Sequence, residues 1–444
     1  MSSLYKTNRF ILFFFLATLT MPTALFAAER GVIPTTPTTT PITPPPTSAT
    51  YPTYPPTQAA NDKQAAAIKR GEYLVKMGDC IACHTNTELG GAPFAGGLPM
   101  NTPFGTFYTP NITPDKKTGI GTWTEHDFIR TMNEGINAQG HNLFAGFPFV
   151  YFSNITDEDN RDIYAYLMGI PAVESKNKPM PFPFNIPGAR AAFFGWKLLF
   201  FFGNDRIRPD PTHSPEWNRG RYIVDGLGHC SMCHTPLNAL GSNQTQLYLT
   251  GGFIDGYWAP NITRDGLQSA TDDEVNRVFM NNELINHAGP VAGPMAEVNH
   301  NSLMYMTDDD RLAITTYLKT VTTRDPHSLK PSDKPPTLFR GKQVYRQACI
   351  LCHQNGEMTA PLIGSAPSWF SRLKDSDLAG LYRNAINGYN SMPVKGACVT
   401  CSDNDIRAAV DYILNESLSR SQWLDMQPKR VEENAHQVRD EDVN

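Results

Sequence analysis

The sequence predicts a mainly α-helical protein of three small domains in tandem, preceded by an export signal and an unstructured linker. The five-residue pattern Cys-x-x-Cys-His occurs three times along the 444 residues. A short amphipathic segment with an Arg-Gly pair precedes each copy. Each copy is followed later in its domain by the start of a helix, which has a Ser or Thr cap and an acidic residue three positions after the cap. A chain of this length has room for about three domains of ordinary size.

The Cys-x-x-Cys-His pattern is the attachment pattern for c-type haem. Its two thiols, one helical turn apart, add to the two vinyl groups of one porphyrin, and the adjacent imidazole then faces the iron as its proximal ligand. A zinc knuckle or a redox-active cysteine pair also uses Cys-x-x-Cys. However, a zinc site needs a second cysteine pair at knuckle distance, and a redox pair does not require the histidine. The predicted residues that bind three covalent haems are Cys80, Cys83, His84, Cys230, Cys233, His234, Cys349, Cys352 and His353.

The first 28 residues have the pattern of a secretory signal peptide. Lys6 and Arg9 precede a short apolar run, and a cleavage site follows near Ala27 or Ala28. The run is shorter than the ~20 apolar residues that span a bilayer, so the pattern favours cleavage over an uncleaved anchor. Export together with covalent haem indicates a bacterial periplasm, or the outer face of the inner membrane.

Residues 29–65 are predicted to be a linker without fixed structure. Between Gly31 and Asn61 there is no charged residue, and Pro and Thr dominate the composition. Such a stretch has little to bury and favours extended polyproline II conformation. The linker would tether the first domain to the export signal or to the membrane.

The three motifs define the rest of the predicted organisation. The boundaries are 66–172 for the first domain, 173–212 for an aromatic-rich connector, 213–325 for the second domain, 334–418 for the third domain and 419–444 for a polar tail. The connector is expected to pack between the first two domains, and the alternative is docking to a partner or a bilayer surface. The tail is expected to fray. A shared Pro-Asn-Ile-Thr segment, absent from the third domain, indicates that the first two domains arose by duplication.

A low-spin haem that carries electrons needs a sixth iron ligand, which is usually Met in c-type cytochromes. The Met comes from the loop before the last helix, which predicts Met295 for the second haem and Met392 for the third. In the first domain Phe147 stands at this place, and Phe cannot bind iron. The alternatives there are an open, five-coordinate iron or ligation by Met100, Met132 or His141.

Two cysteines remain outside the haem motifs, Cys398 and Cys401. They follow Met392 closely and could form a redox-active dithiol. For an exported chain, a structural disulfide that braces the Met loop is favoured.

These residues resemble the triheme cytochrome c subunit of membrane-associated bacterial alcohol, aldehyde and sugar-acid dehydrogenases. The resemblance runs over 69–321 and is carried by 105–115, 163–167, 226–230 and 293–297. The third domain resembles cytochrome c5 instead, a group in which two cysteines after the axial Met form a disulfide. The resemblance implies three class I cytochrome c-type haem domains.

The resemblance also implies the function. A catalytic dehydrogenase subunit would oxidise an alcohol, an aldehyde or a sugar acid, and its electrons would pass along the three haems to quinone, a terminal oxidase or another cytochrome. The sequence contains no evident substrate-handling motif, so the chain alone is not expected to be an enzyme, and its net charge of −5 does not indicate nucleic acid binding. Two alternatives stay open: a free-standing periplasmic shuttle, and a peroxidase-like enzyme with an open first haem.

Overall fold

The computed structural model describes residues 51–426 except 103, 187, 202–205, 255, 286–288, 324–329 and 399–400. The predicted signal peptide, residues 29–50 of the linker and the tail beyond 426 lie outside the described residues. Helices dominate the described part, and they are accompanied by two antiparallel hairpins. No helix among the described residues is both long and apolar enough to cross a bilayer.

The first helical unit carries the first haem motif. Its elements are α1 (Asp62–Met77), α2 (Cys80–Cys83), β1 (Pro99–Thr102), β2 (Gly105–Tyr108), α3 (Glu125–Glu134), α4 (Phe149–Phe152) and α5 (Asp157–Gly169). The two strands pair as a hairpin in which Met100 lies opposite Phe107. Helix α1 packs along α5, so the first and last helices of the unit enclose its core.

The connector contributes one helix, and the second helical unit repeats the first. The elements are α6 (Ala191–Phe200) in the connector, followed by α7 (Pro215–Asp225), α8 (Ser231–His234), β3 (Gly252–Ile254), β4 (Tyr257–Ala259), α9 (Arg264–Leu267), α10 (Asp272–Asn281), α11 (Pro294–Asn301) and α12 (Asp308–Leu318). Helix α7 packs along α12, as α1 does along α5. In the hairpin, Ile254 lies opposite Tyr257.

The third helical unit carries the third haem motif, and its main elements are helices. They are α13 (Leu338–Val344), α14 (Ile350–His353), α15 (Ala366–Asp375), α16 (Leu378–Asn387), α17 (Asp403–Ser417) and α18 (Arg420–Met426). A π-helical turn, Tyr345–Cys349, joins α13 to α14 and leads directly into the haem motif. Such turns are often found at functional sites. Helix α13 packs along α17, which is the third occurrence of the same helix pair.

A glycine allows the two helices of each pair to come into contact. A Cβ atom on this glycine would lie 1.9 Å from a carbonyl oxygen of the last helix, which backbone atoms cannot accommodate. The three pairs are Gly71 with Asp162, Gly220 with Ala313, and Gly341 with Ala408. The Arg-Gly pair of the sequence pattern therefore marks the helix crossing in each unit.

The last helix of each unit begins at the cap that the sequence predicts. The cap hydroxyl accepts a hydrogen bond from the backbone N–H three residues later, which satisfies one free donor of the first turn. The pairs are Thr156 with Asp159, Thr307 with Asp310, and Ser402 with Asp405.

The first two units share one hydrophobic core, whereas the third has its own. The polar contacts between the first two units are reciprocal. Tyr73 donates to Asp310 at 2.6 Å, and Tyr222, the equivalent residue of the second unit, donates to Asp159. The two aspartates also occupy equivalent positions in α5 and α12. The two units therefore contact each other through equivalent residues, as the subunits of a two-fold symmetric dimer do.

The connector helix α6 contacts both of the first two units, which agrees with the predicted packing between them. Its Phe193 is buried and lies 5.7 Å from Phe144 between ring centroids. Trp196 donates its indole N–H to the carbonyl of Leu240 in the second unit. The outer face of α6 is apolar and exposed at Phe194, Leu198 and Leu199.

Two segments are more ordered than the sequence indicates. Composition predicts no fixed structure in the linker as far as residue 65, but Tyr54 donates to the carbonyl of Asn301 and Tyr51 stacks on His300. It also predicts that the tail frays from residue 419, but the tail begins with α18, whose Trp423 is buried against the third core. In both segments, aromatic residues in a polar context bury enough apolar surface to order the chain.

Candidate functional site

All three haem motifs have the same local backbone. In each motif the two cysteines lie one turn apart on or at the start of a short helix, α2, α8 or α14, and the histidine follows at the end of that turn. This spacing presents both thiols to one side, where they can reach the two vinyl groups of a single porphyrin. The structure therefore brings together the residues of each motif as the sequence predicts.

The three histidines are oriented in the same way. In each, the ring nitrogen Nδ1 lies within hydrogen-bonding distance of a proline carbonyl, which fixes the tautomer and leaves Nε2 to bind a metal. The pairs are His84 with Pro110 at 2.8 Å, His234 with Pro260 at 2.7 Å, and His353 with Pro361 at 2.8 Å. Burial lowers the pKa of all three imidazoles, which keeps them neutral, as ligation requires.

The first cysteine of each motif is buried or partly buried, whereas Cys83 is exposed. Burial raises the pKa of Cys80, Cys230 and Cys349 to about 12, so these side chains are uncharged. Among the described residues, no group of three or more His, Cys, Asp or Glu side chains is placed to hold a metal ion.

Of the two predicted methionine ligands, Met392 lies in a loop, as the sequence predicts, whereas Met295 lies in the first turn of a helix. Met295 is the second residue of α11 and packs against the shared core of the first two units. Met392 packs against the third core, and its backbone exchanges two hydrogen bonds of 2.9 Å with Tyr389. These hydrogen bonds close a tight loop, so the position of the Met392 side chain is set by its backbone.

The first unit has Phe147 at the corresponding place, where it packs 5.6 Å from Phe152 between ring centroids. Two of the three alternative ligands are poorly placed. Met132 is buried in the core from α3, and His141 is exposed. The methyl carbon of Met100, however, lies 3.4 Å from the point where Gly146, the neighbour of Phe147, would carry a Cβ atom.

Cys398 and Cys401 form a disulfide, as the sequence predicts. Both are buried beside the Met392 loop. The side chain of Lys395 donates to the carbonyl of Cys401 at 3.0 Å, which ties the start of this loop to its end.

Replacing both cysteines of this disulfide by serine is expected to lower the free energy of unfolding of the third unit by about 2 kcal/mol. The crosslink closes a very short loop, so the loss of chain entropy in the unfolded state is at the low end of its usual range. Urea denaturation of the double variant measures the effect, and reduction of the wild type by a thiol should reproduce it. Equal stability of the variant and the oxidised wild type would contradict the bracing role.

One residue at the site is not evident from the sequence. The half-buried ring of His229, just before Cys230, lies 5.8 Å between ring centroids from Phe152 of the first unit. Its backbone has a φ of +35°, a strained value for a residue with a side chain. The pattern could have indicated it only as a histidine next to the motif. This ring contact links the start of the second haem motif to the first unit.

Family models match two parts of the chain. The model for cytochrome c matches residues 68–171, and the model for cytochrome c oxidase, cbb3-type, subunit III matches residues 336–413. These two segments contain the first and third haem motifs. Cytochrome c domains bind haem c covalently through this motif, so the matches imply haem c in the protein.

Individual relatives cover more of the chain. It is 36% identical to the gluconate 2-dehydrogenase cytochrome c subunit of Pantoea cypripedii, over 76% of this chain and 80% of that protein. It is 40% identical to a nicotinate dehydrogenase subunit of Pseudomonas putida over 68% of this chain, but it spans only 26% of that protein's length. A stretch of 71 residues is 37% identical to cytochrome c5 of Azotobacter vinelandii, over 86% of that protein. The chain belongs to the family of cytochrome c subunits of bacterial dehydrogenase complexes.

Proposed function

We propose that this chain is a triheme c-type cytochrome that passes electrons from a catalytic dehydrogenase subunit to quinone or another acceptor of the respiratory chain. The observation that carries the proposal is the common geometry of the three motifs, in which each histidine contacts a proline carbonyl through Nδ1. The relatives that cover most of the chain are cytochrome subunits of dehydrogenases, which supports the role as an electron carrier.

The residues of this chain hold and orient the cofactor. Haem c supplies one-electron chemistry when bound. The thiols of each motif would hold the porphyrin, and Nε2 of His84, His234 and His353 would bind the iron. Met295 and Met392 would be the sixth ligands of the second and third haems, and Met ligation raises the reduction potential.

The three haem domains would occupy 66–172, 213–325 and 334–418 on the outer face of the inner membrane. The export pattern at the N-terminus and the disulfide of the third unit both suit the periplasm. The exposed apolar face of α6 is a candidate contact with the membrane surface.

Affinity purification of the full chain from solubilised membranes tests this function. We expect three covalent haems per chain by pyridine-haemochrome analysis, and a co-purifying dehydrogenase whose alcohol, aldehyde or sugar-acid substrate reduces those haems. Isolation without such a partner would favour a free-standing shuttle. Turnover of peroxide by the purified chain would favour an enzyme with an open first haem. Fewer than three haems would overturn the proposal.

For the first haem we assign Met100 as the sixth ligand. Its methyl carbon lies against Gly146, next to the place where Phe147 replaces a methionine, whereas Met132 is buried in the core and His141 is exposed. The second unit supports this assignment, because it has Ile254 at the position equivalent to Met100 and has its methionine at Met295 instead. One methionine per unit would then reach the iron, from the hairpin in the first unit and from the start of α11 in the second.

Replacing Met100 by leucine is expected to convert the first haem to a high-spin state and to lower its reduction potential, because a thioether ligand favours the reduced iron. Magnetic circular dichroism and a redox titration of the holoprotein measure both changes. The matched control is Met132→Leu, which changes a core methionine and should leave the spectrum as in the wild type. A wild-type spectrum for Met100→Leu would refute the assignment.

A further inference from the structure

The hairpin of the second unit lies between two haem motifs. Strand β3 contacts α8, the helix of the second motif, and strand β4 contacts α14, the helix of the third. On the side of the second motif the approach is close. A Cβ atom on Gly252 would lie 2.3 Å from the carbonyl oxygen of Cys233, so only glycine fits there.

Trp258 on β4 connects the two sides of this hairpin. Its ring carbon Cζ2 lies 2.9 Å from the point where Gly251 would carry a Cβ atom, so the indole covers this glycine. The N–H of Gly251 donates to the carbonyl of His234 at 2.8 Å. Trp258 also packs against the core of the third unit, which contains Cys349. One side chain therefore bridges the proximal histidine segment of the second motif and the core around the third.

Two further contacts join the third unit to the second, and together with the Trp258 contacts they form the seam between these two units. The side-chain amide of Asn355, two residues after His353, donates to the carbonyl of Gly256 in the hairpin turn at 3.1 Å. The sulfur of Met358 lies against Gly289, only 2.5 Å from the point where a side chain at this position would place its Cβ atom. Both contacts involve residues that follow the third haem motif within a few positions.

The equivalent hairpin of the first unit has a different neighbour. There Phe107 stacks on Phe144 at 4.0 Å and also faces Phe193 of the connector helix. A Cβ atom on Gly105, in the turn of this hairpin, would lie 2.9 Å from Pro181 of the connector. The connector thus covers the first hairpin, while the second hairpin receives the third unit.

We propose that Trp258 is the positioning residue that seats the third haem domain on the second and provides a packed route for electron exchange between their haems. This inference rests on the proposed triheme function. With haem bound, one electron would pass from a ferrous iron in one domain to a ferric iron in the other. No bond forms or breaks, and the indole is not itself oxidised. A tryptophan at the centre of an interface suits this role because it supplies a large, rigid contact.

The test compares Trp258→Leu with Trp217→Leu in the full-length holoprotein. Trp217 is the second unit's other tryptophan and packs against the core that the first two units share, not against the third core, so the same truncation there leaves the seam unaltered. Electrons are injected by flash photoreduction, and their redistribution between the second and third haems is followed by visible absorption. Truncation of a tryptophan at an interface commonly weakens that interface at least about tenfold. We therefore expect Trp258→Leu to weaken the seating of the third domain on the second and to slow this redistribution at least about tenfold.

The haem count separates the two proposals. With three haems bound and unchanged reduction potentials, a wild-type rate in Trp258→Leu would overturn the role of Trp258 while leaving the triheme function intact. Fewer than three haems in the wild type would remove the function itself. If Trp258→Leu cannot be purified with its haems, Trp258→Phe decides. It keeps an aromatic contact and should slow exchange less, in the same direction, and a wild-type rate there would overturn the role.

Discussion

Replacing Gly341 by alanine is expected to destabilise the third unit by about 3 kcal/mol, the upper end of the usual cost of overpacking a core. The new Cβ atom would lie 1.9 Å from the carbonyl oxygen of Ala408 and 2.8 Å from Cβ of Tyr412. Both atoms belong to α17, so no flexible side-chain end can move aside and the two helices must separate. Because α13 leads through the π-helical turn into α14, this separation would also displace the third haem motif.

Thermal unfolding of the holoprotein, followed through the visible bands of the haems, measures this effect. The matched control is Gly195→Ala in α6, where a Cβ atom would meet nothing within 4 Å. That change should stabilise its helix by up to about 1 kcal/mol, because alanine is the better helix former. If Gly341→Ala unfolded at the wild-type temperature, α13 and α17 could not be in the contact described.

The same crossing explains why the haem units could be predicted from the sequence. The pattern is local, and each part has one physical purpose. The Arg-Gly pair allows a close helix contact, the haem motif places two thiols on one turn, and the cap satisfies a free N–H group at the start of the last helix. Such local requirements fix residue types at fixed positions. They predicted the caps at Thr156, Thr307 and Ser402 and the disulfide beside Met392, and the structure confirms these four features.

The features that the sequence did not predict are those that depend on partners distant in the chain. Nothing near Tyr54 indicates that Asn301 will accept its hydrogen bond, and nothing near Trp423 indicates a core that it can enter. Composition predicted disorder for both segments, because it counts charges and prolines but not the few aromatic anchors. The contact of His229 with Phe152 could not be predicted for the same reason, since it joins two domains.

Replacing Asp405 by asparagine is expected to destabilise the third unit by about 3 kcal/mol at neutral pH. The carboxylate side chain is 1% exposed and accepts a hydrogen bond of 2.6 Å from Arg340. It also accepts from the backbone N–H groups of Ser402 and Ser332. An amide of the same shape would leave the Arg340 charge without a partner, and breaking a buried ion pair from one side typically costs about 3–5 kcal/mol.

The effect should depend on pH in one direction. Burial alone would raise the pKa of Asp405, but the hydrogen bonds from Arg340 and from the two backbone N–H groups outweigh it, so the pKa lies below the usual value of 3.8. A lowered pKa in the folded state stabilises the protein at every pH above the unfolded-state pKa. This stabilisation is lost as the pH falls through the folded-state pKa. The wild type should therefore exceed Asp405→Asn in stability at pH 7 and at pH 5, and the difference should shrink below about pH 4.

Urea denaturation at pH 7, 5 and 3 measures these differences. The matched control is Asp403→Asn, two residues earlier in α17, because Asp403 also pairs with a cation but its side chain is 54% exposed. Solvent screens that pair from Lys395, so the control should lose no more than about 1 kcal/mol, and the loss should be smaller at high salt. Equal losses in the two variants would mean that the Arg340 pair contributes no more than a surface contact. A difference for Asp405→Asn that persisted unchanged at pH 3 would mean that the aspartate acts through its shape and not through its charge.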